Sequence, residues 1–450
     1  MAGADIRRFS SDRRGMALNF FLGVGNGALQ ILADTLIHPT LVLVLFAAQL
    51  TNSYPVIGLV PAMSAGLWWL PQLVGQAIVQ GRRRQMPWAV AASLIRAAAI
   101  GLIGYIGYQS KNYDSDQLLR SFLICYAAYN IAGGFAALPL NELIAKGITA
   151  ERRPMFIQQR NLWGVIFGVV AGFVLREVLG PSGPDFPKNF GLIFLAAAIA
   201  LITSTFLQAR MSEPIRVVSG RHVPIFRQFI AGPKVFGDLN YRRFLLFRLV
   251  LGASLLADPF FILYAQRELN APAEAVGAYI IALTGARFFA NYLWRAVQAR
   301  KGNRAVLQYA ALVRLAAPAI ALLVPRAVET SLYTDHVSDT RIPYIIFGAV
   351  FVAIGIALSG SIMSSFGYIM EIAPQDARPA YIGMANALLG ITAFLMVLGG
   401  SLLDRRGYET LFATASVIGL VAVFVGGILT QTHARAQPTT ESWGLRRART

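Results

Sequence analysis

Two carboxylates stand inside long apolar segments: Asp34, in Ile31-Leu32-Ala33-Asp34, and Asp258, in Leu255-Leu256-Ala257-Asp258, 224 residues further on. An ionisable side chain in hydrocarbon is costly and turns to a polar interior, so each can hold a proton or meet a cationic group. Asp34 closes a stripe of Asn19, Gly23, Asn26, Gln30 and Asp34, and Thr284, Arg287, Asn291 and Arg295 form a second. Steps of three and four put each set on one helix face. Ser254 precedes Asp258 by one turn, and Tyr126 shares a face with Asn130. Asn26, Gln30, Tyr126, Asn130, Arg287 and Asn291 are therefore expected to line a path for a solute, with Arg287 suited to an anionic group. Asn19 and Arg295, near segment ends, read as hydrogen-bonding glue between helices. His38 follows Asp34 by one turn and reads as an interfacial residue at a helix end.

Other chemistry is sparse. The chain has no phosphate-binding Gly-x-x-x-x-Gly-Lys-Ser/Thr loop, no His-Glu-x-x-His and no Gly-x-Ser-x-Gly, so ATP-driven pumping or a hydrolytic site is not expected. Cys125 is the single cysteine, which excludes an internal disulfide and a Cys-x-x-Cys site. No cofactor or metal is expected.

The elements holding these residues are membrane helices. Hydrophobic residues make up 56% of 450, charged residues 14%, and mean hydropathy is +0.55, well outside the range of soluble domains. Apolar runs of about 20 residues match the thickness of a bilayer core. The hydropathy pattern predicts an all-α membrane protein with twelve transmembrane helices, at 17–38, 55–79, 87–108, 118–140, 160–180, 189–209, 244–265, 275–297, 305–325, 342–370, 380–402 and 409–431. These fall into two six-helix bundles, 1–209 and 244–431, around a cytoplasmic linker at 210–243 with Pro214, Pro224 and Pro233, and a cytoplasmic tail at 432–450. With the N-terminus inside, 27 of the 40 lysines and arginines lie on the inner side, 9 outside and 4 within spans, so both termini are expected in the cytoplasm. This distribution accounts for the net charge of +18 without nucleic acid.

The halves repeat each other beyond the two aspartates. Arg153-Pro154-Met155-Phe156-Ile157 with Asn161 returns as Arg378-Pro379-Ala380-Tyr381-Ile382 with Asn386, and Glu142-Leu143 is echoed by Glu371-Ile372. Val79-Gln80-Gly81-Arg82-Arg83 returns as Val297-Gln298-Ala299-Arg300-Lys301, and Leu94-Ile95-Arg96 as Leu312-Val313-Arg314. Matches in one order at nearly one offset imply a duplicated six-span unit.

Gly75-Gln76-Ala77-Ile78-Val79-Gln80-Gly81-Arg82-Arg83-Arg84, between spans two and three, resembles the loop signature of the major facilitator superfamily of secondary transporters. The second copy ends in Arg300-Lys301-Gly302-Asn303-Arg304, between spans eight and nine, and the likeness covers nearly the whole chain. The resemblance implies two pseudo-symmetric bundles and alternating access, with the chain acting as a monomer on a small-molecule substrate and protons as a coupling ion. The family's loop acid is absent from both copies. Glu142 with Arg153 or Arg82, and Glu371 with Arg378 or Arg300, are expected to replace it as an inner gate that also includes Arg83. Arg96 and Arg314 sit in spans the family places at the periphery, so they, like Arg248, are expected to snorkel or brace inner loops.

Counting residues from each span start puts Asp34 and Asp258 in the outer half, as an outer gate or proton site, and leaves solute contact to Asn26, Gln30 and Arg287. Secondary active or facilitated transport across the cytoplasmic membrane is the expected function. A non-transporting assembly factor or sensor on the same fold is the alternative.

Overall fold

The computed structural model describes residues 2–79, 84–109, 114–149, 151–213, 236–328, 339 and 341–430. Every long element among them is a helix. The first half runs α1 (Ala2–Leu36), α2 (Val42–Leu50), α3 (Tyr54–Val79), α4 (Met86–Tyr108), α5 (Ser115–Gly147), α6 (Arg153–Leu179) and α7 (Lys188–Ala209). The second runs α8 (Leu239–Ala253), a 3-10 turn (Ser254–Ala257), α9 (Asp258–Arg267), α10 (Ala275–Val328), α11 (Ile342–Ile372), α12 (Arg378–Ala393) and α13 (Leu395–Gly427). Eight stretches of these helices are long and apolar enough to cross a bilayer, and the chain is a multi-pass integral membrane protein. Two of them are broken by a glycine at positive φ. α10 folds back at Gly302 (φ 78°) and α13 at Gly407 (φ 79°), a backbone region in which glycine carries no steric penalty.

Helix starts follow local chemistry. Pro87, Pro154, Pro259, Pro343 and Pro379 stand in the first turns of α4, α6, α9, α11 and α12, where a missing N–H costs nothing. The Asp238 carboxylate accepts from the amides of Asn240 (2.8 Å) and Tyr241 (3.3 Å), so the second half begins at Leu239 rather than at 244.

The first pass and the stretch Leu239–Arg267 are both interrupted. α1 stops at Leu36, the chain turns through His38-Pro39, and α2 carries the same pass on to Leu50. The amides of Leu41, Val42 and Leu43 all reach the carbonyl of His38, at 3.3, 2.9 and 3.1 Å. The matching pass breaks in the 3-10 turn just ahead of Asp258-Pro259. The span expected at 17–38 is therefore too short, because His38 and Pro39 interrupt the apolar run without ending the crossing. Asp34 lies two residues before the end of α1, inside the longer pass.

Within the first half α1 packs on α6 and α7, α4 on α5 and α7, and α3 on α5. In the second, α10 packs on α11 and α13, and α8 on α12 and α13. The halves meet where α3 lies against α12 and α13, α6 against α10, and α2 against α9. Glycines let these backbones approach: a Cβ on Gly172 of α6 would stand 2.5 Å from Ile281 Cγ1 and 2.9 Å from the Gly277 carbonyl of α10.

Candidate functional site

Each duplicated aspartate is ion-paired to a duplicated arginine. Asp34 Oδ1 accepts from Arg96 Nη2 of α4 at 3.1 Å and from the Tyr129 hydroxyl of α5 at 2.5 Å. Arg96 Nη2 also donates to the Tyr129 hydroxyl, at 2.6 Å. In the second half Asp258 accepts from Arg314 Nη2, on the outer-going arm of α10. Arg96 and Arg314, expected to snorkel towards inner loops, are instead buried near the middle of their helices. The reason is pairing: a guanidinium can leave water where a carboxylate meets it.

The two pairs differ in access. The Asp34 side chain is 52% exposed over an Arg96 side chain that is 4% exposed, whereas Asp258 and Arg314 are 14% and 7% exposed. The first pair offers a carboxylate to a water-accessible space and the second is sealed. Arg96 is further held by two aromatic faces, its Cζ 5.2 Å from the Trp68 ring and 4.6 Å from the Tyr129 ring. Gly133 makes this possible, since a Cβ there would overlap Trp68 and stand 3.1 Å from Arg96 Nε. Gly133→Ala is expected to cost about 1–3 kcal/mol by overpacking. Detergent-solubilised thermal unfolding measures that loss, and an unchanged midpoint contradicts the Trp68–Arg96 packing.

The remaining candidates separate into wall and interior. Gln30 Oε1 accepts from Arg160 Nη2 of α6 at 3.3 Å. Arg287 is exposed in mid-helix, on a face shared with Thr284, which packs at Gly168 of α6. His38 Nδ1 lies 3.3 Å from the Thr40 hydroxyl. Asn291 Oδ1 accepts from the Ser359 hydroxyl of α11 at 2.6 Å.

Asn26, Tyr126 and Asn130, expected on the wall, are buried. Asn26 Nδ2 donates to the Ser204 carbonyl (3.0 Å) and hydroxyl (2.8 Å), joining α1 to α7. Tyr126 stacks between Phe122 and Tyr129, and Asn130 Nδ2 donates to the Tyr126 carbonyl at 2.8 Å. Asn19, read as glue, exchanges hydrogen bonds with Ser212 at 2.8 Å.

At the inner ends the described contacts lie within each half. Glu142 pairs with Lys146 one turn along α5 (3.3 Å) rather than with Arg153, whose Nε donates to the Ile148 carbonyl at 3.3 Å. Glu371 accepts from Asn303 Nδ2 at 2.6 Å, Arg378 Nη2 donates to the Met370 carbonyl at 3.2 Å, and Arg300 is exposed. Arg82 and Arg83 lie outside the described residues. Between the halves, Arg267 Nη1 of α9 donates to the Tyr54 hydroxyl of α3 at 2.8 Å and its Cζ lies 5.3 Å from that ring. Phe260 and Tyr408 each meet Tyr54 edge-on.

The sequence reading missed Tyr54, Trp68, Tyr129, Arg160 and Arg267. Arg160 stood at the first position of the span expected at 160–180, whereas α6 starts at Arg153 and carries it about two turns into the helix.

No family model matches the sequence, and no curated protein does. Solved structures do. The nucleoside transporter NupG superposes with a TM-score of 0.68 at 13% identity, over 92% of this chain and 100% of that one. This chain shares its fold. A bacterial homologue of the iron transporter ferroportin matches at 12% identity over 92% of this chain and 98% of that one, with a TM-score of 0.66 inward-facing. Its outward-facing state, at 14% identity over 92% and 99%, scores 0.60. A D-xylose–proton symporter scores 0.63 at 14% identity, over 94% and 98%.

Proposed function

We propose that this chain moves a small solute across the cytoplasmic membrane by alternating access, as a secondary active or facilitated transporter. Twelve crossings in two six-helix halves, joined by the inner linker 210–243 and with both termini in the cytoplasm, rock about a central site. The observation that carries the reading is the half-exposed Asp34 carboxylate inside the first pass, held by a buried Arg96 in a chain otherwise built to exclude charge. Neutralising Asp34 weakens its bonds to Arg96 and Tyr129, which couples protonation to the packing of α1, α4 and α5. That is the simplest device by which a proton gradient drives the cycle.

The contact of Tyr54 with Arg267, the meeting of α2 with α9, and the higher score against the inward-facing ferroportin homologue support an inward-facing state. The transporters named above support transport as the shared task of the fold. A thiol-labelling experiment tests the cycle without a known substrate. In a Cys125→Ser background, cysteine at Thr284 is expected to react with an impermeant maleimide mainly from the cytoplasmic side. Adding Arg267→Ala removes a cation–π and charge-assisted contact worth about 1–3 kcal/mol, and labelling from outside should rise about 5- to 100-fold. Strictly one-sided labelling in both backgrounds would instead favour a fixed, non-transporting scaffold.

A further inference from the structure

Charge in the middle of this protein is unbalanced. Among the described residues, five arginines stand well inside the passes, Arg96, Arg160, Arg248, Arg287 and Arg314, with two aspartates, Asp34 and Asp258. Both aspartates are taken by Arg96 and Arg314. Arg160, Arg248 and Arg287 have no carboxylate within ion-pair distance, and Arg248 Nε is buried with no hydrogen-bond partner. An uncompensated guanidinium at this depth is expensive, and the three come from three different helices.

Arg160 and Arg287 stand on helices that pack together, α6 and α10. Arg160 reaches across to Gln30 of α1, and Gly27 leaves it room, since a Cβ there would overlap the arginine stem. Arg287 lies one turn along α10 from Thr284, which meets Gly168 of α6 beside Thr35 of α1. Arg287 does not face lipid, because its neighbours on that face, Thr284 and Asn291, pack on Gly168 and Ser359. Two planar forks of N–H donors, one from each half, suit a planar or tetrahedral oxyanion that accepts two bonds at once.

We infer that the central site takes an organic anion, a carboxylate or phosphate ester, held by Arg160 from the first half and Arg287 from the second. This deepens the transport reading and rests on it. An anion that bridges the halves draws them together where they otherwise separate. Gln30 then orients the Arg160 fork. Glycerol 3-phosphate, glutarate and benzoate represent the soluble class; an anionic lipid headgroup offers the same chemistry from the bilayer.

The test uses the full chain in phosphatidylcholine nanodiscs, with and without phosphatidylglycerol, and follows thermal unfolding against glycerol 3-phosphate, glutarate, benzoate, neutral benzamide and cationic benzylamine. At least one soluble anion should raise the midpoint, with no response to benzamide or benzylamine. Arg160→Gln and Arg287→Gln should each weaken that response about tenfold or more, the loss of one charge-assisted contact. Arg326→Gln, whose side chain is exposed and pairs with Glu409 at the outer surface, should leave it unchanged. A rise with phosphatidylglycerol alone, lost in the Arg160→Gln/Arg287→Gln double variant, also upholds the site and names the lipid headgroup as the anion. A response to benzylamine or benzamide instead, no response to any anion, or an anion response that survives in the double variant would overturn the inference. Uptake of the binding anion into proteoliposomes separates the two readings: binding without uptake keeps the anion site and ends the transport reading. Uptake of a neutral solute by a protein indifferent to anions does the reverse.

Discussion

Asp258→Asn is expected to destabilise the protein by about 3–5 kcal/mol, the cost of leaving a buried charge without its partner. Arg314 is 7% exposed on its side chain, and its Nε and Nη1 already lack partners, so nothing nearby can take over from the carboxylate. Asp34→Asn leaves Arg96 equally buried but keeps its bond to Tyr129 and its place against Trp68, and the lost carboxylate was half in water. Its stability loss should be clearly smaller, while any proton-driven flux is lost. Unfolding of both variants in one detergent gives the comparison. The Asp258→Asn/Arg314→Met double variant should recover part of the loss, because removing both charges spares the solvation penalty. Equal losses at Asp34 and Asp258 would mean that the difference in exposure carries no energetic weight.

Gly277→Val should have the second large effect, on conformation more than on stability. A Cβ on Gly277 overlaps the Gly172 carbonyl and stands 2.9 Å from Arg176 Cβ, so a branched side chain wedges α10 from α6 where the halves close. Overpacking of this kind costs about 1–3 kcal/mol, and only the closed outer side bears that cost. The wedge therefore shifts the population outward by about 5- to 100-fold. In a Cys125→Ser background, outside labelling of cysteine at Thr284 reads the shift. Unchanged labelling with unchanged thermal stability would show that α6 and α10 do not close the outer side.

The sequence carried the all-helical, membrane-spanning character of the chain and the residues of both central ion pairs. Leu-Ala-Asp and Leu-x-Arg each recurred, at offsets of 224 and 218, and their opposite charges were the available sign that each aspartate would meet an arginine. Asp34 and Arg96 are 62 positions apart, and only the packing of α1, α4 and α5 joins them. Helical spacing placed Asn26 and Gln30 on one stripe, yet Asn26 faces α7 and Gln30 faces Arg160. A stripe fixes a face without naming the neighbour. Hydropathy also ended the first pass early at His38-Pro39 and started α6 late, which hid the length of the pass that holds Asp34 and the place of Arg160 within its helix.

The interruption at His38 has a mechanical consequence. Three amides share one carbonyl there, so α2 is tethered to α1 through a swivel instead of a rigid rod, and rotating it needs only those three bonds to reorient around a single acceptor. α2 abuts α9, which is set off from α8 by its own 3-10 turn. The two outer segments thus form a cap with its own articulation, able to tilt while the inner helices stay in register. On the alternating access proposed above, opening to the exterior is expected to proceed in two stages, with the cap loosening before the bundles rotate.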